Sequence, residues 1–99
     1  MEVKKTNHEG EFVLTLFVSG AAPNSVRAIN NIQRILEERV PKKYQLTVID
    51  VRQEKAVAEQ EQIIALPLLV RKFPLPERRL IGDMSDTDKV LKGLGIFTE

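Results

Sequence analysis

Cysteine is absent from the chain, which excludes disulfides, thiolate nucleophiles and cysteine-ligated zinc or iron-sulfur sites. The sequence also has no apolar run long enough to cross a bilayer, and its first eleven residues are polar where a signal peptide would be apolar. Lys and Arg number 15 against 14 Asp and Glu, a formal net charge of +1, so the whole molecule does not attract nucleic acid or anionic lipid. We therefore expect a soluble, cytoplasmic protein whose partners contact local patches.

The common catalytic motifs are missing as well. The sequence has no glycine-rich phosphate loop, no nucleophile elbow and no paired acid and base. The single histidine, His8, stands in a polar stretch without the partners of a catalytic constellation, and we assign it no role. These absences predict a protein that is not an enzyme and that uses no cofactor.

The length and the apolar content suffice for one domain. The chain has 99 residues, of which 42% are hydrophobic, and such a chain can build a single core with little left over. We predict a flexible tail over residues 1–11 and one domain over residues 12–99. No repeat or low-complexity segment divides that domain.

The first half of the domain is predicted to be a β-α-β unit. Residues 12–18, FVLTLFV, are apolar on both alternating faces, as is typical of a central parallel strand covered by helices on each side. Residues 44–51, YQLTVIDV, are rich in β-branched side chains and predict a second strand. Asn24 or Ser25 is expected to cap the helix between them, which should end before Pro41. Its apolar face is predicted from the three- and four-residue spacing of Val26, Ile29, Ile32, Leu36 and Val40.

The next stretch gives weaker signals. Residues 53–65 suit a short helix, although the apolar stripe of that helix is thin. The run IIALPLLVRKF fits either a strand or a helix, because short apolar runs have no decisive period. We interpret residues 68–72 as a strand that begins after Pro67.

The last elements complete a familiar order. RRLIG, residues 78–82, is predicted to return antiparallel after the FPLPE turn. Ser85, with Asp88 three residues later, is expected to cap a final helix over residues 89–94. The resulting order β-α-β-α-β-β-α, with a proline opening the third strand, predicts an α/β domain of the thioredoxin-like fold.

The loop after the first strand bears directly on function. Residues 21–24, AAPN, stand where a thioredoxin-like enzyme would carry Cys-x-x-Cys. Neither a methyl group nor an amide can form the thiolate that disulfide exchange needs, so redox catalysis is excluded. The loop is interpreted as a turn that leads into a helix, and it could also form a contact surface.

Two clusters of charge have alternative interpretations. The acidic cluster could hold a metal ion, but its spacing lacks a calcium-loop pattern and suits the start of a helix better, so we predict no metal. The basic cluster could contact phosphate or an acidic protein face, or could simply be solvated. The clusters consist of Asp83, Asp86 and Asp88, and of Arg71, Lys72, Arg78 and Arg79.

Three segments together resemble the KaiB family of small proteins that partner the KaiC ATPase. They are LFVSGAAPNSVRAINNIQRILEE, YQLTVIDV and RRLIGDMSDTDKVLKGLGI, and they span almost the whole chain. The resemblance implies a non-catalytic regulatory protein that binds a hexameric KaiC-type ATPase and modulates it in a clock-like or stress-response system. It also implies that a histidine kinase with a similar sensor domain competes for the same site. The alternatives from other classes are a thioredoxin-like protein with a non-thiol activity and a weak nucleic-acid-binding module.

The resemblance also implies site residues. The surface that faces the ATPase would include Arg27, Glu59, Gln62, Arg78, Arg79 and Asp83. This chain departs from the family pattern, because Gln62 replaces a usual lysine, Leu66 and Leu68 make the third strand more apolar, and Thr47 replaces another lysine. An acidic tail is missing after GIFTE, which suggests a homologue outside the core circadian clock.

Two folds are implied by the resemblance. One is a resting homo-oligomer, a dimer or tetramer with a rearranged C-terminal half, and the other is a thioredoxin-like monomer that binds the ATPase. We expect the segment 63–96 to exchange slowly between two packings, because its local signals conflict. Gly93 and Gly95 weaken the last helix, and slow isomerisation at X-Pro bonds such as that of Pro67 would time the exchange.

Overall fold

The computed structural model describes residues 11–96 of the chain. The predicted tail, with His8, lies outside the described residues except for Glu11. The elements are β1 (Phe12–Val18), α1 (Pro23–Arg39), β2 (Tyr44–Asp50), α2 (Lys55–Gln60), β3 (Leu68–Phe73), β4 (Arg78–Ile81) and α3 (Thr87–Leu94). This order confirms the predicted thioredoxin-like α/β arrangement. Within residues 11–96, no helix is both long enough and apolar enough to cross a membrane.

The four strands form one sheet in the order β2-β1-β3-β4. β1 pairs in parallel with β2 and antiparallel with β3, and β4 runs antiparallel to β3. The interior position of β1 explains why its residues are apolar on both faces, since each face covers a separate core. Leu14 and Leu16 pack with α1 and α3, whereas Phe17 packs on the other face with Leu68, Val70 and residues of the α2 region.

The helix α1 follows the predicted period but not the predicted cap. Ala22 is the N-cap and makes no side-chain cap hydrogen bond, and Pro23 opens the helix. Pro23 needs no amide partner, and the Ser25 hydroxyl instead accepts a hydrogen bond from the Ser19 amide at 3.1 Å. The expected cap by Asn24 or Ser25 is therefore wrong. Of the predicted apolar face, only Val26 is wrong, because it is exposed, while the other predicted residues contact the core. The fully buried residues of the helix are Ser25, Ala28, Ile32, Ile35 and Leu36.

The helix α2 is shorter than the predicted 53–65, and none of its residues is fully buried. Just after it, Gln62 takes a positive φ of 56°, which turns the chain out of the helix. The amide of Ile63 then reaches back to the carbonyl oxygen of Ala58 at 3.2 Å, which satisfies one of the last helical carbonyls. A thin apolar stripe allowed this early end, because little burial would be gained by continuing.

The C-terminal half contains the predicted strands and the predicted last helix. The strand β3 runs one residue beyond the predicted Lys72, and β4 returns antiparallel as expected. The N-cap of α3 is Asp86 and not Ser85, since the Asp86 carboxylate accepts a hydrogen bond from the backbone amide of Lys89 at 3.2 Å. The helix ends at Gly95, whose positive φ of 76° suits a residue without a Cβ.

Candidate partner-binding surface

An ion pair joins α1 to the loop that follows β4. The Nε of Arg27 lies 3.0 Å from an Asp83 carboxylate oxygen, and the side-chain amide of Asn31 donates to the backbone carbonyl oxygen of Asp83 at 2.9 Å. Hydrogen bonds from Ser85 and from Arg27 lower the pKa of Asp83 below its usual value. Two of the predicted site residues, Arg27 and Asp83, are thus in contact with each other although 56 positions separate them.

A network of four charged side chains lies on the face of β3 and β4 that packs toward α2. Lys72 Nζ lies 3.0 Å from Glu61 and 3.8 Å from Glu77. Arg79 pairs with the same two carboxylates at 3.3 Å and 3.4 Å, and it also donates to the Glu61 carbonyl oxygen at 2.8 Å. Two cations and two anions therefore balance each other on this face. Arg79, a predicted site residue, is held in place by this network.

The other two cations of the basic cluster have different surroundings. Arg71 is 5% exposed, and its guanidinium donates to the carbonyl oxygens of Leu94 and Pro76, each at 2.7 Å. The interpretation of all four cations as one solvated or phosphate-binding patch is therefore wrong. Arg78 lies opposite Arg71 in the strand register, is exposed, and forms no ion pair with a residue of the described range.

Exposed apolar side chains that the sequence analysis did not single out complete the surface. Ile64 is 93% exposed and Ile81 is 62% exposed, and both line a shallow depression of about 130 Å³ together with Gln62 and Arg79. A second depression of about 190 Å³ extends from Ile81 past Asp83 to Lys89. Ile81 lines both depressions, so the two adjoin at this residue. We call Gln62, Ile64, Arg79, Ile81 and Asp83 the β4 surface.

The remaining predicted residues stand beside this surface or elsewhere. Glu59 is exposed on α2 and lines neither depression. Leu68 is buried in the smaller core, which accounts for its apolar character. Alternation along β4 was the signal for Ile81, since Leu80 packs on the core and the next residue must point away from it. No periodic signal marks Ile64, which follows the turn at Gln62.

The loop after β1 is fixed by a residue that the sequence analysis passed over. The Asp50 carboxylate accepts hydrogen bonds from the amides of Gly20 and Arg52, both at 3.0 Å. The bonds from Arg52 and Gly20 lower the pKa of Asp50. Gly20 has a positive φ of 53°, which suits a residue without a Cβ, whereas the exposed Arg52 side chain beside it is free to move. This arrangement is a structural turn, and Ala21 and Pro23 stay exposed on it.

The acidic cluster divides into separate roles. Asp83 pairs with Arg27, Asp86 caps α3, and Asp88 lies in the first turn of that helix. Over residues 11–96, no group of three potential metal-ligating side chains comes together. The helix-start interpretation is confirmed for Asp86 and Asp88, whereas Asp83 belongs to the contact with α1.

Comparison with known proteins points to one family. A family model described as the KaiB domain matches residues 15–96. A circadian clock oscillator protein KaiB from Microcystis aeruginosa is 47% identical over 88 residues, which is 89% of this chain and 85% of that protein. The N-terminal domain of Synechococcus elongatus SasA is similar in structure, with a TM-score of 0.71 at 21% identity, covering 100% of this chain and 97% of that one. Mitochondrial thioredoxin 3 from Saccharomyces cerevisiae gives 0.70 at 12% identity, covering 91% and 82%, so the fold is thioredoxin-like.

Proposed function

We propose that this chain, which belongs to the KaiB family, is a regulatory protein that binds a KaiC-type hexameric ATPase and modulates its phosphorylation and output. Clock oscillator proteins among its relatives support a role in clock-type regulation. The AAPN sequence in the loop before α1 supports binding in place of redox catalysis, because no thiolate can form there. The KaiC-type partner follows from the family resemblance.

The β4 surface is the observation that carries this proposal. Its centre consists of Ile64 and Ile81, two large apolar side chains that are exposed and line the same depression. Exposed apolar side chains that adjoin one another are typical of a protein-binding site. Around the centre stand polar and charged side chains, among them Gln62, Arg79 and Asp83. An apolar centre with a polar rim is the usual anatomy of a protein interface, in which the centre supplies most of the affinity.

Charge at the rim favours an acidic partner face. Arg79 and Asp83 are already paired within the chain, with Glu61 and Arg27 respectively. Arg78 is exposed and forms no ion pair within residues 11–96, so its charge is available to a partner carboxylate. Arg78 extends from the edge strand β4 on the face opposite Ile81. We propose that Arg78 is the electrostatic contact along this edge and that Arg27, Glu59 and Gln62 stand at the border of the interface.

A pull-down with the KaiC-type ATPase, run with ATP and with ADP, tests the proposal. Replacing Ile81 with Asp should weaken binding by at least about tenfold, because a carboxylate would be desolvated at the centre of the interface. Leu75→Asp is the matched control, since Leu75 is 75% exposed but lines neither depression. Absence of a complex with either nucleotide, or equal losses in both variants, would contradict the proposal.

The surroundings of the basic cluster disfavour the nucleic-acid alternative. Lys72 and Arg79 are neutralised by Glu61 and Glu77, and Arg71 is buried. Because these cations of β3 and β4 do not form a continuous basic patch, the net charge of +1 predicts only weak, salt-sensitive binding. We further propose that the protein acts in the cytoplasm, that its resting state is a homo-oligomer, and that a histidine kinase competes with it for the ATPase.

A further inference from the structure

Arg71 is a buried cation, and no acidic residue within residues 11–96 pairs with it. Its side chain rises from β3 on the face that packs against α1 and α3, and its two hydrogen-bond acceptors are both backbone carbonyls. We propose that Arg71 is a latch that holds the end of α3 and the turn between β3 and β4 in one packing, so that the two segments open together. This inference does not depend on the proposed function.

The first acceptor belongs to the end of a helix. The last carbonyl groups of a helix have no partner within it, and the aligned peptide dipoles make that end negative. Leu94 is the last residue of α3, and its carbonyl oxygen accepts from Arg71 at 2.7 Å. The guanidinium therefore satisfies an orphan acceptor and also complements the helix dipole from a strand 23 positions away.

The second acceptor belongs to the turn between β3 and β4. The carbonyl oxygen of Pro76 accepts from the other terminal nitrogen of Arg71 at 2.7 Å. Both ends of one planar guanidinium are thus engaged, and each hydrogen bond fixes the position from which the other is made. If one segment moves away, the cation keeps only half of its acceptors.

The cost of that half-satisfied state makes the latch cooperative. The Nε of Arg71 is buried and already lacks a hydrogen-bond partner among the described residues. The nearest charge on the neighbouring strand is another cation, Arg78, and burial together with Arg78 lowers the pKa of Arg71. A buried charge that loses an acceptor is strongly destabilised, so loss of one contact favours loss of the other.

Gly95 gives the guanidinium its access to α3. A Cβ at Gly95 would lie 2.9 Å from Nη1 of Arg71, and the φ of +76° there is itself unfavourable for most other residues. Gly82 also has a positive φ, +124°, but a Cβ on it would meet no atom of the described part of the chain within 4 Å. Substituting Gly82 by alanine would therefore add backbone strain alone, whereas substituting Gly95 would add both strain and a contact with Arg71.

Amide hydrogen exchange of the full chain, followed by NMR, tests the latch. Two groups of amides should exchange at least about tenfold faster in Arg71→Met: the Ile96 amide, which donates to the Leu91 carbonyl oxygen, and the β4 amides from Arg78 onward. Amides of α1, such as that of Ile32, should keep their rates. Lys72→Met is the matched control, since it removes the adjacent, ion-paired cation, and it should leave Ile96 unchanged. Unchanged exchange in Arg71→Met, or acceleration in only one of the two segments, would overturn the proposal.

Two further variants keep the test decisive. Arg71→Lys serves if Arg71→Met does not fold. It retains the charge but cannot span two acceptors with a planar fork, so exchange should accelerate in both segments. Exchange at the wild-type rate in Arg71→Lys would overturn the latch. Gly95→Ala should accelerate exchange less in Arg71→Met than in wild type, because only the strain at its positive φ remains once the contact with Arg71 is gone, whereas Gly82→Ala should have the same effect in both backgrounds. Independent effects of Gly95→Ala and Arg71→Met would likewise count against the proposal.

Discussion

Two consecutive arginines on β4 have opposite electrostatic surroundings. Arg79 lies between two carboxylates, with Glu61 at 3.3 Å and Glu77 at 3.4 Å. Arg78 points to the other face, where its partner in the register is the buried cation Arg71. Neighbouring strand residues alternate between faces, so the same side-chain type serves the fold at one position and is available for contact at the next.

Charge reversal at these two positions should therefore have different results. Arg78→Glu should weaken ATPase binding at least about tenfold without lowering the melting temperature, because it replaces the cation opposite Arg71 with an anion. Arg79→Glu should destabilise the fold by about 1 kcal/mol, because it places a third carboxylate beside Glu61 and Glu77. Binding titrations and thermal unfolding of both variants measure the two effects. Equal losses of affinity and stability in the two variants would refute the assignment of faces.

At the level of elements, hydrophobic period predicted α1 well and α2 poorly. The stripe of α1 buries Ile32, Ile35 and Leu36, and this burial determines its position. The α2 helix buries no residue completely, and polar contacts from Glu61 just beyond its end join it to the sheet. A sequence pattern reports apolar faces but not which cation meets which acid, since those partners are 11 and 18 positions apart. Polar partners therefore had to come from the structure.

The Arg27–Asp83 pair, which ties α1 to the loop after β4, should give a pH-dependent stability. Hydrogen bonds from Ser85 and Arg27 hold the folded pKa of Asp83 below the ordinary value of 3.8. A lowered carboxyl pKa stabilises the fold at pH values above 3.8, and this contribution is lost as the pH falls through the folded pKa. Asp83→Asn should therefore lower the melting temperature at neutral pH, with the difference from wild type closing below pH 3.8.

Thermal unfolding across a pH series measures this difference. Glu54→Gln is a suitable control, because Glu54 is exposed and makes no side-chain cap hydrogen bond at the start of α2. Its melting temperature should follow that of the wild type throughout. A gap between Asp83→Asn and wild type that stays constant down to the most acidic pH would argue against an electrostatic role for Asp83.

For the whole molecule, the two halves differ in how strongly the sequence determines them. The β-α-β half was predictable in order and type because β1 and α1 have clear apolar patterns. In the second half, the strand β3 was predicted from the proline before it and not from a decisive period, and Ile64 and Ile81 were not singled out. Local signals that do not favour one structure leave competing packings close in free energy.

We therefore predict that residues 63–96 exchange between this thioredoxin-like packing and a second one. NMR of uniformly labelled protein over a concentration series should show two sets of peaks for this segment, with the second set growing as an oligomer forms. A concentration series is needed because the family resemblance assigns the second packing to a homo-oligomer. One set of peaks at every concentration would mean that the chain has a single fold.

Gly93 offers the sharpest control over that equilibrium. It lies within α3, where glycine costs about 1 kcal/mol relative to alanine, so the helix preference alone would make Gly93→Ala favour the packing that contains α3 by roughly fivefold. The added Cβ would lie 2.3 Å from Cδ2 of Leu80, which packs on the core and must shift, so this contact offsets part of the gain. In Gly93→Ala combined with Leu80→Ala that contact is gone, so relative to Leu80→Ala alone the full helix gain should appear. Populations that Gly93→Ala leaves unchanged in both backgrounds would show that α3 is common to both packings or that no second packing exists.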